Sequence, residues 1–138
     1  MTSGKVGEIS LSRYERAAAA GQLFVVHAED RVVAGLQLLW SDEEIWADRT
    51  PAVYVHSLVI DRLYAGQGLG AALLDWAAKQ GVRDGVGLLR LDCVAANDAL
   101  CTYYLRLGFV PAGDIDFGPD SGHLPARRFE KRVGPTHD

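Results

Sequence analysis

A glycine-rich segment, Tyr64-Ala-Gly-Gln-Gly-Leu-Gly70, is the first part of the chain whose composition points to chemistry. Glycine lets a backbone approach a ligand closely, and consecutive N–H groups at the start of a helix bind anions. The segment lies between a β-branched run, Val53 to Asp61, and an apolar stretch with helical spacing. It therefore predicts either a cradle for a phosphate or pyrophosphate group, or a flexible turn that joins a strand to a helix.

Two common phosphate-binding motifs do not fit this segment. A Walker A loop needs Lys followed by Ser or Thr after its last glycine, whereas Gly70 is followed by two alanines. Gly66, Gly68 and Ala71 satisfy the G-x-G-x-x-A spacing of dinucleotide-binding folds, but that motif directly follows the first strand of its fold. Here residues 61–65 intervene and other strands precede the segment. A nicotinamide cofactor is therefore disfavoured.

Metal and disulfide chemistry have little support in the sequence. The two cysteines, Cys93 and Cys101, are too few for a disulfide framework and have no partners at metal-binding spacing. We therefore predict no metal and a reducing, cytoplasmic compartment. No apolar run approaches the ~20 residues that span a bilayer, and no signal peptide is visible, so we expect no membrane association.

The composition is typical of a soluble globular protein. Of the 138 residues, 49% are hydrophobic and 23% are charged, which rules out wholesale disorder. A chain of this length buries about two thirds of its unfolded surface, so we expect a single domain over residues 1–138. The net charge of −4, from 14 basic and 18 acidic residues, argues against a nucleic-acid partner.

The first half of the chain reads mostly as strands. Residues 1–11 suggest a short strand at best, and Ser12 is a candidate cap for a short helix that runs to Ala20 and ends at Gly21. The runs LFVVHA and RVVAGLQLLW predict a hairpin. An acidic, loop-like stretch over residues 41–51 then leads to the β-branched run before the glycine segment.

The second half alternates between helix and strand. Apolar spacing predicts a helix from Leu69 to Gln80 that Gly81 ends, then a strand over residues 88–95. Asn97 can cap a second helix, and two strands over residues 109–117 and 126–133 follow it. This order predicts an α/β (α+β) fold with one mixed sheet and helices on its faces.

The glycine segment also carries a resemblance to a known family. SLVIDRLYAGQGLGAALLDWA resembles the acetyl-CoA-binding motif of the GNAT superfamily of N-acetyltransferases, [QR]-x-x-G-x-[GA]. Gly68 and Gly70 take the two small positions. Ala65 stands where the pattern has Gln or Arg, which removes one side-chain contact and leaves every backbone donor in place.

A second segment strengthens the resemblance. NDALCTYYLRLGF is similar to the family's N-x-x-x-x-x-x-Y-x-x-x-G-F stretch, with Asn97, Tyr104, Gly108 and Phe109 in register. The resemblance covers residues 23–133. The family usually opens with a strand and two helices, and this chain has room for about one helix. It therefore implies a GNAT-like, splayed sheet flanked by helices, with a shortened N-terminal helical region.

The resemblance implies that acetyl-CoA lies in a V between two splayed strands. Backbone groups of Leu58, Val59 and Ile60 would contact the pantetheine arm. The N–H of Val59 would stabilise the oxyanion of the tetrahedral intermediate, which makes its role catalytic. The N–H groups that would bind the pyrophosphate belong to Gly66, Gln67, Gly68, Leu69, Gly70 and Ala71.

The resemblance also implies CoA contacts for two residues of the second segment. Tyr104 matches the tyrosine near the CoA sulfur, although its place on an apolar stripe equally fits core packing. A thiol titrates near 8.5 and tyrosine near 10, so a full proton transfer runs uphill by ~1.5 units and Tyr104 would act mainly as a hydrogen-bond donor. Asn97 would either bond CoA or only cap its helix.

The acceptor needs a base, because an amine with a pKa near 10 is almost wholly protonated at pH 7. His56 is the candidate, since arylalkylamine acetyltransferases carry a histidine at the matching position in the splayed strand. Tyr54 shares its face by strand periodicity and is a candidate acceptor contact. The alternative is a half-buried histidine bonded to a backbone carbonyl.

The acidic stretch before that strand offers further acceptor contacts. It holds Asp42, Glu43, Glu44 and Asp48 beside two tryptophans, and a solvated acidic loop is the simpler interpretation. In the family this region borders the acceptor cleft. Glu43 and Glu44 would attract a cationic amine, and Trp40 would pack against it.

The resemblance implies an acetyl-CoA-dependent N-acetyltransferase that acts on a small-molecule amine or an amino-acid-like acceptor. A protein or peptide acetyltransferase is the enzymatic alternative, and it would need an open groove. A binding module that holds acyl-CoA without turnover is the alternative from another class, supported by Ala65 and the short N-terminal region. A homodimer is left open.

Overall fold

The structure, a computed structural model, describes residues 5–6, 9–15, 22–28 and 30–134, the first two ranges by their backbone alone. An eight-stranded sheet is formed in the spatial order β1-β2-β3-β4-β5-β6-β8-β7. The strands are β1 Lys5–Val6, β2 Ile9–Glu15, β3 Gln22–Ala28, β4 Arg31–Leu39, β5 Val53–Ile60, β6 Leu88–Val94, β7 Val110–Ile115 and β8 Ala126–Arg132. Every described pair is antiparallel except β5 with β6. The predicted mixed sheet is confirmed.

Both helices of the described chain lie on one face of this sheet. Helix α1, Leu69–Arg83, connects β5 to β6, and helix α2, Asp98–Arg106, connects β6 to β7. Both crossovers move in the same direction across the sheet, and right-handed crossovers then fall on the same side. Leu73 of α1 and Tyr104 of α2 accordingly join one buried cluster with sheet residues such as Val55. Neither helix is long and apolar enough to cross a membrane.

In the described part of the chain, a loop covers the opposite face of the sheet. Residues 40–52, called the β4–β5 loop here, fold back over the sheet. Ile45, Trp46 and Ala52 of this loop form a second buried cluster with Tyr54 of β5. The two faces therefore differ in what covers them, and this difference organises the site.

The helix predicted from Ser12 is wrong over the residues that the structure describes. Ser12 to Glu15 belong to β2, which pairs with β3 from Ile9↔Ala28 to Glu15↔Gln22. Pairing with a strong neighbouring strand outweighs the weak preference of a capping residue. The remainder of the predicted helix, residues 16–21, lies outside the described residues.

Gly81 does not end α1, which continues for two residues to Arg83. Gly81 is buried, and a Cβ atom built on it would lie 2.9 Å from Cγ1 of Val53. Its lack of a side chain therefore serves a close approach between α1 and β5. Asp84 is the C-cap of the helix, and Gly85 follows it with a φ of +81°, which suits a helix C-terminus.

Strand β5 carries a bulge after its first half. Gln37 of β4 faces His56, and Gly35 faces Val59, so two residues of β5 stand opposite one residue of β4. Ser57, the first of the two, has a φ of +54°. The bulge shifts the side-chain alternation by one residue. Val55 faces the helices before it, and Leu58 and Ile60 pack against the same cluster after it.

Candidate active site

Strands β5 and β6 separate part of the way along their length. Their parallel ladder consists of Val53↔Leu89 and Tyr54↔Arg90, and no later Cα partners join them within the described residues. The bulge follows directly in β5. The strands thus form the V that the family resemblance implied, and its opening connects the helix face of the sheet with the loop face.

The glycine turn follows the end of β5 that has separated from β6, and it leads into α1 on the helix face. Gly66 and Gly68 both have a φ of +79°, and a Cβ atom on either would meet no other atom within 4 Å. Gly68 occupies the N-cap position of α1 and makes no side-chain capping bond. The first N–H groups of a helix have no partner within the helix, and an anion such as pyrophosphate can bind to them.

Tyr103 lies next to the glycine turn. A Cβ atom on Gly70 would stand 2.8 Å from the Tyr103 hydroxyl oxygen. The ring of Tyr103 also packs beside Tyr104, with 5.7 Å between ring centroids. Gly70 therefore has a packing reason to be glycine, in addition to the backbone role that the motif implies.

Tyr104 is buried, with 4% of its surface exposed, among the rings of Phe109 and Phe129. Burial raises the pKa of its hydroxyl, and the neighbouring Cys93 thiol acts in the same direction. The hydroxyl consequently stays protonated and can donate a hydrogen bond. Core packing is what the apolar stripe predicted; the role at the CoA sulfur stays a prediction.

Asn97 caps α2 as expected. Its Oδ1 accepts a hydrogen bond from the backbone N–H of Leu100 at 3.1 Å. This bond occupies the side-chain oxygen. A contact between Asn97 and CoA stays a prediction.

His56 lies on the loop face, with 29% of its side chain exposed. Its Nε2 forms a hydrogen bond of 2.5 Å with Oδ2 of Asp42, in the β4–β5 loop. This bond raises the pKa of His56 although burial opposes it, and the charges of Asp92 and Glu44 raise it further. The partner is thus a carboxylate and not the backbone carbonyl that was the alternative expectation.

Asp92 completes a group with Asp42 and His56, which we call the carboxylate–histidine cluster. Tyr54 pairs with Arg90, so His56 and Asp92, each two residues further on, face the same side of the sheet. One ligand-capable atom from each member of the cluster lies within 4.8 Å of the others. A positive charge could be held there; the prediction that the protein uses no metal stays a prediction.

A buried arginine holds the β4–β5 loop in place. Arg90 donates to both carboxylate oxygens of Asp48, at 2.5 and 3.1 Å, and to Glu130 at 3.0 Å. Its guanidinium carbon stands 4.1 Å from the centre of the Trp46 ring. From the other side, Arg128 donates to the Ile45 carbonyl oxygen at 3.1 Å. These contacts fix the loop and thereby position Asp42 beside His56.

Sequence reasoning missed Asp42, Arg90 and Asp92 as parts of the site. Asp42 was placed in a solvated loop, and the other two lie in a predicted strand. One signal was available, because Arg90 and Asp92 alternate with Leu89 and Leu91 in that strand. Charged residues at every second position indicate a polar strand face that some other segment must partner.

The four predicted acceptor contacts occupy different environments. Tyr54 is buried at 2% exposure, and its hydroxyl donates to the Thr50 carbonyl oxygen at 2.8 Å, which favours a packing role. Trp40, the first residue of the β4–β5 loop, is 40% exposed. Glu43 pairs with Arg49 at 3.1 Å. Glu44 is exposed and acts on His56 by its charge.

Comparisons with known proteins agree with this geometry. Residues 4–109 match the model of the acetyltransferase (GNAT) family. The uncharacterized N-acetyltransferase YesJ of Bacillus subtilis (strain 168) is 38% identical over an alignment of 96 residues, with a coverage of 64% of this chain and 53% of the relative. The chain thus spans about half the length of that curated relative.

Solved structures share the fold. A GNAT family acetyltransferase from Elizabethkingia anophelis with acetyl-CoA bound has a TM-score of 0.73 at 9% identity, over 91% of this chain and 99% of that one. The ribosomal-protein-S18-alanine N-acetyltransferase from Escherichia coli has a TM-score of 0.63 at 22% identity, over 84% and 71%. With its splayed strands and glycine turn, and with the family model matched over most of its length, the chain belongs to the acetyltransferase (GNAT) family.

Proposed function

We propose that the protein is an acetyl-CoA-dependent N-acetyltransferase whose acceptor is a small cationic amine, attacked directly in a ternary complex. One observation carries the proposal. The opening between β5 and β6 has a glycine turn at a helix start on one side and a carboxylate–histidine cluster on the other. A donor and an acceptor could therefore approach the same gap from opposite faces of the sheet.

Backbone groups support acetyl-CoA binding on the helix side. The N–H groups at the start of α1 have no partner within the helix, and the cofactor's pyrophosphate would bind to them. Beyond the bulge, β5 has no strand partner on its β6 side within the described residues, so the pantetheine arm could pair with Leu58, Val59 and Ile60.

The N–H of Val59 does not fit the expected role at the oxyanion. The N–H of Asp61 donates to the Val33 carbonyl oxygen at 2.7 Å, so by alternation along β5 the N–H of Val59 points to its partner Gly35 in β4. The N–H groups on the open side belong to Leu58 and Ile60, and one of them would donate to the thioester oxygen as negative charge develops there.

His56 would remove the proton that blocks attack. With Nε2 hydrogen-bonded to Asp42, Nδ1 is the nitrogen left to accept a proton, directly or through a water. The raised pKa of His56 makes it a stronger base than a free imidazole, at the cost of a larger protonated fraction near pH 7. Asp42 orients the ring and stabilises the imidazolium.

Acetyl transfer forms a C–N bond and breaks the C–S bond at the acetyl carbon. The amine nitrogen loses a proton to His56, and its lone pair forms the C–N bond to the acetyl carbon. The C–S bond then breaks with its electron pair on sulfur, and Tyr104 would donate a hydrogen bond to that sulfur. The nitrogen loses its second proton as the tetrahedral intermediate collapses, and this proton passes to the thiolate. The products are the acetamide and CoA, and the proton held by His56 passes to solvent.

Two alternatives differ in what they would accept. The Escherichia coli neighbour is described as acting on the alanine of a ribosomal protein, so a peptide acceptor is the second enzymatic candidate. A module that binds acyl-CoA without turnover is the non-enzymatic one. We propose the small amine because carboxylates line the acceptor side. We also propose a cytoplasmic, metal-free enzyme formed by one domain.

Turnover with an amine panel tests this function. Wild-type protein and a His56→Gln variant are assayed between pH 6 and 9 by release of the CoA thiol. We expect acetylation of small primary amines and a loss of ~10²–10⁴ in rate in the variant, together with loss of the lower limb of the pH profile. Binding of acetyl-CoA without turnover of any amine or peptide would favour the module.

A further inference from the structure

The geometry of the acceptor side points to Asp92 as the residue that binds the ammonium group of the acceptor, and we propose that it selects cationic amines over uncharged ones. This inference rests on the proposed function. It goes beyond the family resemblance, which places no role on Asp92.

The two carboxylates of the carboxylate–histidine cluster have different commitments. Asp42 is bonded to His56 at 2.5 Å, and its side chain is only 9% exposed. Within the described part of the chain, by contrast, no group donates a hydrogen bond to the Asp92 carboxylate. Asp92 is therefore the member of the cluster whose carboxylate can accept a hydrogen bond from a ligand.

The surroundings of Asp92 make a carboxylate that accepts no hydrogen bond unfavourable. Asp92 is half-buried, and desolvation raises its pKa although His56 acts against the shift. Arg90, two residues earlier on the same strand face, does not neutralise it, because Arg90 is engaged by Asp48 and Glu130. A part-buried carboxylate to which no described residue donates is in an unfavourable environment, and a cation with N–H groups would relieve it.

The position of Asp92 suits such a cation. Asp92 lies on β6 and His56 on β5, where the two strands have separated, and the ligand-capable atoms of the cluster lie within 4.8 Å of one another. A primary ammonium has three N–H donors. One of them can bond Asp92 while another faces His56, so that binding also presents the proton that must be removed.

Two amines with one carbon skeleton separate recognition from catalysis. Butylamine is a cation at pH 7, whereas heptafluorobutylamine is weakly basic and uncharged. We expect Asp92→Asn to raise KM for butylamine by about 10- to 100-fold, the effect of losing a hydrogen bond to a charged group, and to change KM for heptafluorobutylamine by less than about threefold. Asp42→Asn is the matched control and should lower kcat for both amines.

Unequal effects on the two amines are the signature that a merely structural role would not produce. Equal loss with both amines would overturn the inference, because Asp92 would then act only through the His56 pKa or the fold. No change with either amine would overturn it as well. An acetyl-CoA thermal shift matching that of the wild type checks that Asp92→Asn is folded, and Asp92→Ser is the second variant if it is not.

Calorimetry keeps this test separate from the proposed function. Butylamine is titrated into the complexes of wild-type protein and Asp92→Asn with CoA, which cannot turn over. Weaker binding to the variant by the same factor supports the inference even if no amine is acetylated, an outcome that would count against the proposed function alone. Equal binding overturns the inference even if turnover is normal.

Discussion

The two faces of the sheet contribute to the site in different ways. On the helix face, the groups that would bind the cofactor are backbone N–H groups of one continuous segment, residues 58–71. On the loop face, the cluster consists of the side chains of Asp42 in the β4–β5 loop, His56 in β5 and Asp92 in β6. Asp42 lies 14 positions before His56 in the sequence, and Asp92 lies 36 positions after it. One face uses a local backbone conformation, and the other uses a tertiary meeting of side chains.

This difference explains what substitutions should do on each face. A backbone site is insensitive to most side-chain changes and fails when the backbone is blocked or forced out of its conformation. A side-chain site loses a specific bond or charge with each substitution while the chain still folds. We therefore expect all-or-none effects on cofactor binding from the helix face, and graded, pH-dependent effects on turnover from the loop face.

The largest expected effect comes from blocking the glycine turn. Gly68→Val places a branched side chain at the N-cap of α1, beside the first N–H groups of the helix and at a φ of +79°. Acetyl-CoA affinity should fall by more than about 100-fold, and the stabilisation of about 2.7 kcal/mol expected at a hundredfold excess of ligand over Kd should vanish. Thermal melts with and without acetyl-CoA measure both.

Gly85→Val is the matched control for that experiment. Gly85 has a φ of +81° and equally open surroundings, but it lies at the far end of α1. Both variants should lose about 1–2 kcal/mol of stability from the left-handed backbone, and only Gly68→Val should lose the ligand. Loss of acetyl-CoA binding in both would mean that strain, and not occupation of the turn, is responsible.

Tyr104 tests whether a residue of the helix-face core also takes part in chemistry. Tyr104→Phe retains the ring among Phe109 and Phe129 and removes only the hydroxyl. If the hydroxyl donates to the leaving sulfur, kcat should fall by ~10- to 1000-fold while acetyl-CoA affinity changes little. Tyr103→Phe, next to it, is the comparison. Unchanged turnover in Tyr104→Phe, with chemistry limiting the rate, would return Tyr104 to a packing role.

The Asp42–His56 bond should be visible in the pH dependence. His56 is faced by Asp42 and Glu44 from the loop, by Asp92 from β6 and by Gln37 from β4. Because the bond to Asp42 is the main cause that raises the His56 pKa, Asp42→Asn should move the lower limb of the kcat/KM profile to lower pH and reduce turnover by about tenfold. An unmoved limb would show that another group controls it.

The same bond has a signature in stability. A histidine whose pKa is raised by folding stabilises the folded state fully below its unfolded pKa near 6.5, and this contribution disappears as the pH rises through the folded value. The Tm difference between wild type and Asp42→Asn should therefore be largest near pH 5–6 and shrink towards pH 9. A difference that grows with pH would have the wrong sign.

The smallest effect should separate two neighbouring glutamates. Glu44 is exposed and close enough to His56 for its charge to matter, whereas Glu43 is paired with Arg49. Glu44→Gln should raise KM for a cationic amine about two- to threefold at low salt, with the effect lost at high salt. Glu43→Gln should have no measurable effect. Equal effects would mean that general negative charge attracts the acceptor.

The two faces also differ in how far the sequence predicted them. The glycine turn and the capping of α2 by Asn97 follow from short, contiguous patterns, and both are found in the structure. Asp42 and Asp92 could not be placed beside His56, because loop packing and the β5–β6 register decide that contact. The predicted helix at Ser12 failed for the related reason that strand pairing is not local.

Helix α1 is held close to its surroundings near both ends by glycines. A side chain on Gly70 would press on Tyr103, and one on Gly81 would press on Val53. Helix α1 is about 22 Å long at 1.5 Å per residue and moves as a rigid rod. A methyl group at Gly81 would displace the C-terminal end of α1 away from β5. The helix would then tilt, together with the N–H groups at its N-terminal end. The direction of the N–H groups that would bind pyrophosphate thus depends in part on a contact near the other end of the helix.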